Sequence, residues 1–405
     1  MVILHILAAV FGVLLFSTIL RDSFETVVLP RRIQRRFSLS RLFYRSSWIV
    51  WSSLGRKLHN NRRETYLSYF GPLSLIFLLI VWALGLIFSF ALVQWACFDA
   101  LQAPEKAVSF GTYLYLSGTT FITLGLGDVI PLTWPGRIFA VMEAGIGFGF
   151  LALIIGYVPI IYQAFSRREL QIALLDARAG SPPSATEWIR RQLEARERGE
   201  ELSQTLHEWE LWCADILESH LSYPVLTYYR SQHERQSWLG ALTMVLDTCT
   251  LLMVGLDNLT IPNARFTFRI ARHAAVDLAQ YFGTPPMQIT RNRLSSEDFA
   301  RLSKQLAEVG LRFREPEVAE QRLAELRRFY EPFISALADH LFTDLPSWIP
   351  PEKKVDDWMT SAWDHFADWS PAKIEEIQHI ILDHHKKIPV HHDHNHEHQP
   401  DQQHA

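Results

Sequence analysis

The amino-acid sequence predicts an all-α membrane protein. It has three long apolar stretches, then a longer region in which apolar and charged positions alternate at helical period, and strand-like alternation is scarce. The averages hide this division, since 405 residues with 48% apolar, 20% charged and a formal net charge of -4 describe an ordinary soluble chain. Divided at Ser166, the first part holds 13 Lys+Arg and 7 Asp+Glu and the rest 26 and 36, so the two parts carry +6 and -10. Composition excludes collagen-like, wholly disordered and nucleic-acid-binding classes. Three scattered cysteines, Cys97, Cys213 and Cys249, exclude a disulfide scaffold and a four-cysteine metal site within one chain.

The first element is a transmembrane anchor over residues 1–20, because Val2 to Leu20 contains no charged residue. A cleaved signal peptide would place basic residues before the apolar stretch, whereas here Arg21, Arg31, Arg32, Arg35 and Arg36 come after it. Residues 21–69 form a basic loop in which Tyr44, Trp48, Trp51 and Leu58 recur at helical spacing among Arg41, Arg45, Arg56 and Lys57. An interfacial helix on the membrane surface and a solvated loop that only sets topology both fit. The pore module, residues 70–165, contains a second span near Gly71 to Gln94 and a third near Ile138 to Ala164, whose only charge is Glu143. Arg21 to Phe70 carries eleven Lys/Arg against three Asp/Glu, and Cys97 to Gly136 one against three. The excess predicts an N-terminus outside, a cytoplasmic first loop and a cytoplasmic C-terminal domain, in a plasma (inner) membrane.

Residues 166–385 read as an α-helical cytoplasmic domain with helices at Glu187 to Arg198, Leu206 to Leu221, Trp238 to Leu256, Phe266 to Tyr281, Ser296 to Val309 and Glu317 to His340. Trp238 to Leu256 has Asp247 as its only charge, so it is either a buried helix or a fourth span; the cost of a mid-span Asp, at least about 2.5 kcal/mol, favours burial. Residues 386–405 form a disordered His-rich tail, in which His391, His392, His394, His396 and His398 are a candidate divalent-metal site or an incidental chelator. His207, Glu210, Cys213 and His220 share one helical stretch without any standard ligand spacing.

Between the second and third spans, Tyr113 to Phe121 is too short to cross, so it enters the bilayer and turns back, followed by Thr123-Leu124-Gly125-Leu126-Gly127-Asp128. Gly125 and Gly127 accept the positive φ that lets consecutive carbonyls point toward one axis, where they replace an ion's water shell. Thr123 adds a hydroxyl oxygen, and the C-terminal end of the short helix adds partial negative charge. This pattern resembles the Thr-x-Gly-x-Gly-Asp filter of the potassium channel family, single-pore-loop bacterial type. Pro131, Gly136-Arg137 and Gly147 stand where that family places a post-filter proline, the start of the inner helix and its hinge glycine.

The resemblance implies outer helix, pore helix, filter and inner helix, with K+ as the permeant ion and no cofactor. One filter motif per chain implies a homotetramer in the lipid bilayer. The sequence departs from the family at four positions, one of them Ile122, where a second Thr is usual and whose apolar side chain makes the cavity roof drier. The filter's usual Tyr is Leu126, the pore-helix aromatic that braces it is Leu116, and Thr119 stands where some members place a Glu that pairs with the filter Asp, leaving Asp128 to find another donor. No helix carries Arg at every third position, so steep voltage dependence is not expected. Gly145 and Gly149 suit close helix packing, and Gly147 and Pro159 are hinge or kink candidates. Glu143 either faces the pore helix, where burial would hold it as the neutral acid, or faces the cavity, where it would concentrate cations. The functional expectation is a voltage-independent potassium channel rather than an enzyme; the alternatives are a weakly selective cation channel and a non-conducting membrane-anchored sensor or scaffold.

Overall fold

The computed structural model describes residues 2–29, 38–59, 61–97, 100–104, 107–180, 182–194, 199–231, 236–257, 261–287 and 292–349. The arginines at 31, 32, 35 and 36, the last part of the expected helical domain and the histidine tail lie outside the described residues. Among the described residues three helices are long and apolar enough to cross a membrane: α1 (Val2–Val27), α4 (Phe70–Cys97, continuing a preceding turn) and α6 (Trp134–Ala179). The all-α membrane fold is therefore the one the sequence predicts.

Helices α1 and α4 pack antiparallel. His5 lies against Trp95, Gly12 against Val93 and Ser89, Ile19 against Gly85, and Asp22 against Trp82. Small residues allow the approach, since a Cβ on Gly85 would lie 2.3 Å from Ile19 Cδ1. Helix α1 runs past the expected end at Leu20 because its first charges are satisfied in place. Arg21 pairs with Glu25 at 2.8 Å, and the buried Asp22 carboxylate accepts from Leu39 N (2.9 Å), Ser40 N (3.0 Å) and Trp82 Nε1 (3.1 Å). It thereby satisfies the free N–H groups that open α2 (Leu39–Gly55).

The aromatic stripe of α2 faces protein rather than lipid. Trp48 packs against Phe70 (4.8 Å between centroids) and Tyr228 (4.9 Å), and its indole donates to His340 O at 2.9 Å. Trp51 stacks on Tyr66 of α3 (Asn61–Ser68) at 4.6 Å. The helical spacing was legible, but the partners come from distant sequence.

Beyond the spans stand α7 (Ala185–Glu194), α8 (Gly199–Ser222), a 3-10 turn (Pro224–Tyr228), α9 (Trp238–Met253), α10 (Ala264–Phe282), α11 (Ser296–Glu308), α12 (Pro316–Arg327) and α13 (Glu331–Leu341). The single helix expected over Glu317 to His340 is two, because Pro332 lacks an N–H and its ring clashes with the carbonyl four residues earlier. Helix α9 settles the question of a fourth span. Its 16 residues rise about 24 Å, short of a hydrocarbon core, and every residue from Trp238 to Leu252 is buried, against 11% and 17% of the most apolar windows of α1 and α6.

Asp247 of α9 is held in a balanced ionic cluster. Arg293 donates to it at 2.5 Å and the Tyr330 hydroxyl at 2.6 Å; Glu331 accepts from Arg293 (3.1 Å) and from Arg327 (3.0 Å), and both guanidiniums lie over the Trp348 ring. Helix α6 continues into this domain without a linker. Its Arg168, 1% exposed, donates to Leu226 O (2.9 Å) and Tyr229 O (2.8 Å) and lies 3.2 Å from His220 Nε2. His220 Nδ1 faces Ile216 O at 3.0 Å, so the network assigns the hydrogen to Nδ1 and leaves Nε2 to accept from Arg168. Burial, with the Arg168 charge beside it, holds the His220 pKa well below the usual histidine range.

Two outcomes follow from these buried groups. Asp247→Ala leaves Arg293 short of its closest counter-charge and is expected to cost about 3–5 kcal/mol in denaturant unfolding followed by circular dichroism. Removing the exposed Arg301 from its pair with Asp298 is expected to cost under about 1 kcal/mol. Because the folded His220 pKa is depressed, its contribution is complete above about pH 6.5, the unfolded value. It is lost as pH falls below that value, where the unfolded chain takes up a proton that the folded chain refuses. Melting temperature is expected to fall more steeply between pH 7 and 5 in the parent than in His220→Gln.

Candidate functional site

Helix α5 (Phe110–Phe121) is too short to cross a bilayer and is wedged between α4 and α6. It begins at Ser109, whose N–H donates to Thr112 Oγ1 at 3.2 Å, and it buries Tyr113, Leu116 and Phe121. At its far end Thr119 O accepts from both Leu124 N (2.8 Å) and Gly125 N (3.2 Å), which turns the chain out of the helix.

The chain then alternates in hand. φ is +58° at Thr123, +58° at Gly125 and +77° at Gly127, with ordinary negative values at Leu124 and Leu126 between them. Left-handed geometry at every second residue brings successive carbonyls to one side of the strand. The two glycines were expected from the sequence; Thr123 was not, since a β-branched residue disfavours positive φ. A Cβ on Gly125 or Gly127 meets nothing within 4 Å, so conformation rather than space demands glycine there. Residues 122–128 are all exposed on the single chain. Beyond them Leu101–Gln102 (β1) pairs antiparallel with Ile130–Pro131 (β2), closing the loop that leads into α6.

Asp128 takes its hydrogen bond from the Tyr115 hydroxyl of α5 at 2.9 Å. Sequence reasoning missed this donor, although a phenol on the pore helix was the available signal. Thr119 does not serve, because its hydroxyl bonds back to Tyr115 O and Leu116 O. Leu116 is buried behind the turn.

Glu143 is fully buried and faces α5, not the exposed face of α6. Its carboxyl accepts from Gln94 Nε2 of α4 at 2.7 Å and contacts Ser117 Oγ of α5, which also lies 2.9 Å from Ile87 O. The Ser117 hydroxyl has one hydrogen for two acceptors. When it is given to Ile87 O, the contact with Glu143 requires a proton on the carboxyl.

Gly147 is where α6 touches the end of α5. A Cβ there would lie 1.9 Å from Phe121 O, so only glycine permits the crossing. Gly145 and Gly149, read from the sequence as packing glycines, have nothing within 4 Å of an added Cβ and face away from the rest of the chain. Pro159 sits inside α6 without ending it. The stretch His207, Glu210, Cys213 and His220 is not brought together: His207 and Glu210 are surface neighbours at 3.7 Å, Cys213 and His220 are buried, and no metal-binding group of three or more such residues occurs among the described residues. Cys97 is a free, exposed thiol.

A short helix, a strand of alternating hand and two flanking spans tied behind it make up the site. Residues 75–164, a stretch that contains Thr123 to Asp128, match the family model described as ion channel. The match does not single out the bacterial single-pore-loop type. No curated protein and no solved structure gives a significant match.

The packing behind the turn yields two expectations. Gly147→Ala forces α6 away from Phe121 and is expected to lower the melting temperature followed by circular dichroism, whereas Gly145→Ala, with open space at its Cβ, leaves it unchanged. Glu143→Gln keeps a side chain that can both accept and donate and preserves melting temperature. Glu143→Leu strands the Gln94 amide and is expected to cost about 1–3 kcal/mol.

Proposed function

We propose that four copies of this chain form a potassium-selective, voltage-independent channel whose filter is the carbonyl strand from Thr123 to Gly127. The observation that carries this reading is the alternation of backbone hand at Thr123, Gly125 and Gly127 at the end of a half-buried helix too short to cross a bilayer. Such a strand offers a row of dipoles that substitutes for the water shell of a monovalent cation. One strand supplies one wall of a site, and the chain contains one motif, so four chains around an axis complete the coordination.

The role of each residue follows from its placement. Gly125 and Gly127 permit the geometry, Thr123 contributes its hydroxyl at the inner end, and Asp128, held by Tyr115, sets the charge at the outer end. The exposed faces of Gly145, Gly149 and Pro159 on α6 line the path below. The absence of a regular arginine repeat in the sequence argues against voltage sensing. The excess of Lys and Arg in the basic loop supports an N-terminus outside and a cytoplasmic helical domain, in a plasma (inner) membrane. Leu126 in place of a hydrogen-bonding Tyr leaves the carbonyls unchanged and replaces a polar brace by apolar contact.

Flux into liposomes holding the purified protein tests the reading. Rapid potassium uptake, little sodium uptake and loss of both in Gly125→Ala are the expected results. Equal sodium uptake would overturn the selectivity, and no flux of either ion would overturn conduction.

A further inference from the structure

The lipid-facing surface of α1 ends at a defined level. Nineteen residues from Val2 to Leu20 carry no charge, about 28 Å of helix against a hydrocarbon thickness of roughly 30 Å, and the next residue, Arg21, exposes 54% of its side chain. At this level a cavity of about 270 Å³ opens between the end of α1, the start of α2 and helices α8 and α10 of the helical domain. Its lining on α1 begins at Glu25, one turn beyond the first charged residue, Arg21.

The lining is divided by chemistry. Arg41 projects over the Tyr281 ring at 4.9 Å, and Ser38 and Ser40, whose hydroxyls bond to each other at 2.8 Å, line the same cavity. Two carboxylates share the same cavity, Glu25 near its Arg21 partner and the largely buried Asp277 3.4 Å from His273. Leu29 and Leu221 supply apolar edges, and Leu20 and Phe24, 40% and 49% exposed, continue that apolar surface up α1.

Among the described lining residues a purely anionic headgroup would meet two carboxylates, and a bare cation would meet a guanidinium. A ligand carrying both signs on an apolar stem complements the lining. We propose that this cavity binds the headgroup of a zwitterionic phospholipid, the phosphodiester on Arg41 and the hydroxyls, the ammonium on Asp277 and Glu25, with the acyl chains lying along the outer face of α1. Charge-assisted hydrogen bonds of this kind favour a fixed orientation as well as affinity. The assignment needs only the membrane level of α1 and is independent of which ion the pore carries.

Titration calorimetry on the full chain in detergent tests it with three probes: dihexanoyl phosphatidylethanolamine, dihexanoyl phosphatidylglycerol, and free phosphoethanolamine as the soluble source of the same headgroup chemistry. Saturable binding of the ethanolamine lipid is expected, with Arg41→Gln weakening both lipids roughly tenfold and Asp277→Asn weakening only the ethanolamine lipid by a similar factor. The Asp277→Asn readout is a ratio between two lipids on one sample, so misfolding does not imitate it. Equal affinity for the two lipids in the parent overturns the zwitterionic assignment. Free phosphoethanolamine binding as tightly as the lipid overturns the membrane source, and affinities untouched by both substitutions overturn the site. None of these results bears on ion flux, which is measured separately.

Discussion

The membrane part depends on one buried carboxyl. Glu143 on α6 reaches Gln94 on α4 and Ser117 on α5, so a single side chain ties the outer span, the re-entrant helix and the inner span together at one level. Unsatisfied polar groups are costly in an apolar interior, and each of these three has its partners only when the helices are in register. One turn further along α6, Gly147 allows its backbone to meet the last carbonyl of α5. The polar tie and the close approach together fix where α5 ends, and that end sets the start of the carbonyl strand.

The strand itself is supported from both sides of its turn. Thr119 O anchors its inner end through two N–H groups, and Tyr115 holds Asp128 at its outer end. Both supports come from α5, so the strand moves with that helix rather than with the loop that follows. Thr123 in left-handed geometry shows that this support outweighs a local preference, as expected where the surrounding structure over-determines a residue.

The helical domain joins the membrane part through α2 and through α6. Asp22 opens α2 and receives Trp82, so a carboxylate at the end of the first span organises the helix that docks on the aromatic surface of the domain. Arg168 fastens the inner helix to the carbonyls that end the 3-10 turn. With α6 unbroken to Ala179, any displacement of the domain is carried along the same helix that packs against Phe121. The cluster of Asp247, Glu331, Arg293 and Arg327 gives the domain a core in which two carboxylates face two guanidiniums.

The sequence by itself determined the class of fold, three spans, the short helix between the last two, and the glycines whose positive φ the carbonyl strand requires. These depend on hydrophobic length and on backbone permission, which are local properties. Tertiary structure alone decided which of the polar and small residues act together. Tyr115 rather than Thr119 serves Asp128, Gly147 is the glycine that meets Phe121 O within the chain, and Pro332 splits a helix that periodicity joined. The face of α2 that reads as a membrane surface is covered by residues from the far end of the chain. Glu143 could have faced either way on an apolar helix, and Asp247 could have been a liability in a fourth span. Their partners, Gln94 and Ser117 in one case and Arg293 and Tyr330 in the other, lie between 26 and 83 residues away, a separation that no periodicity records.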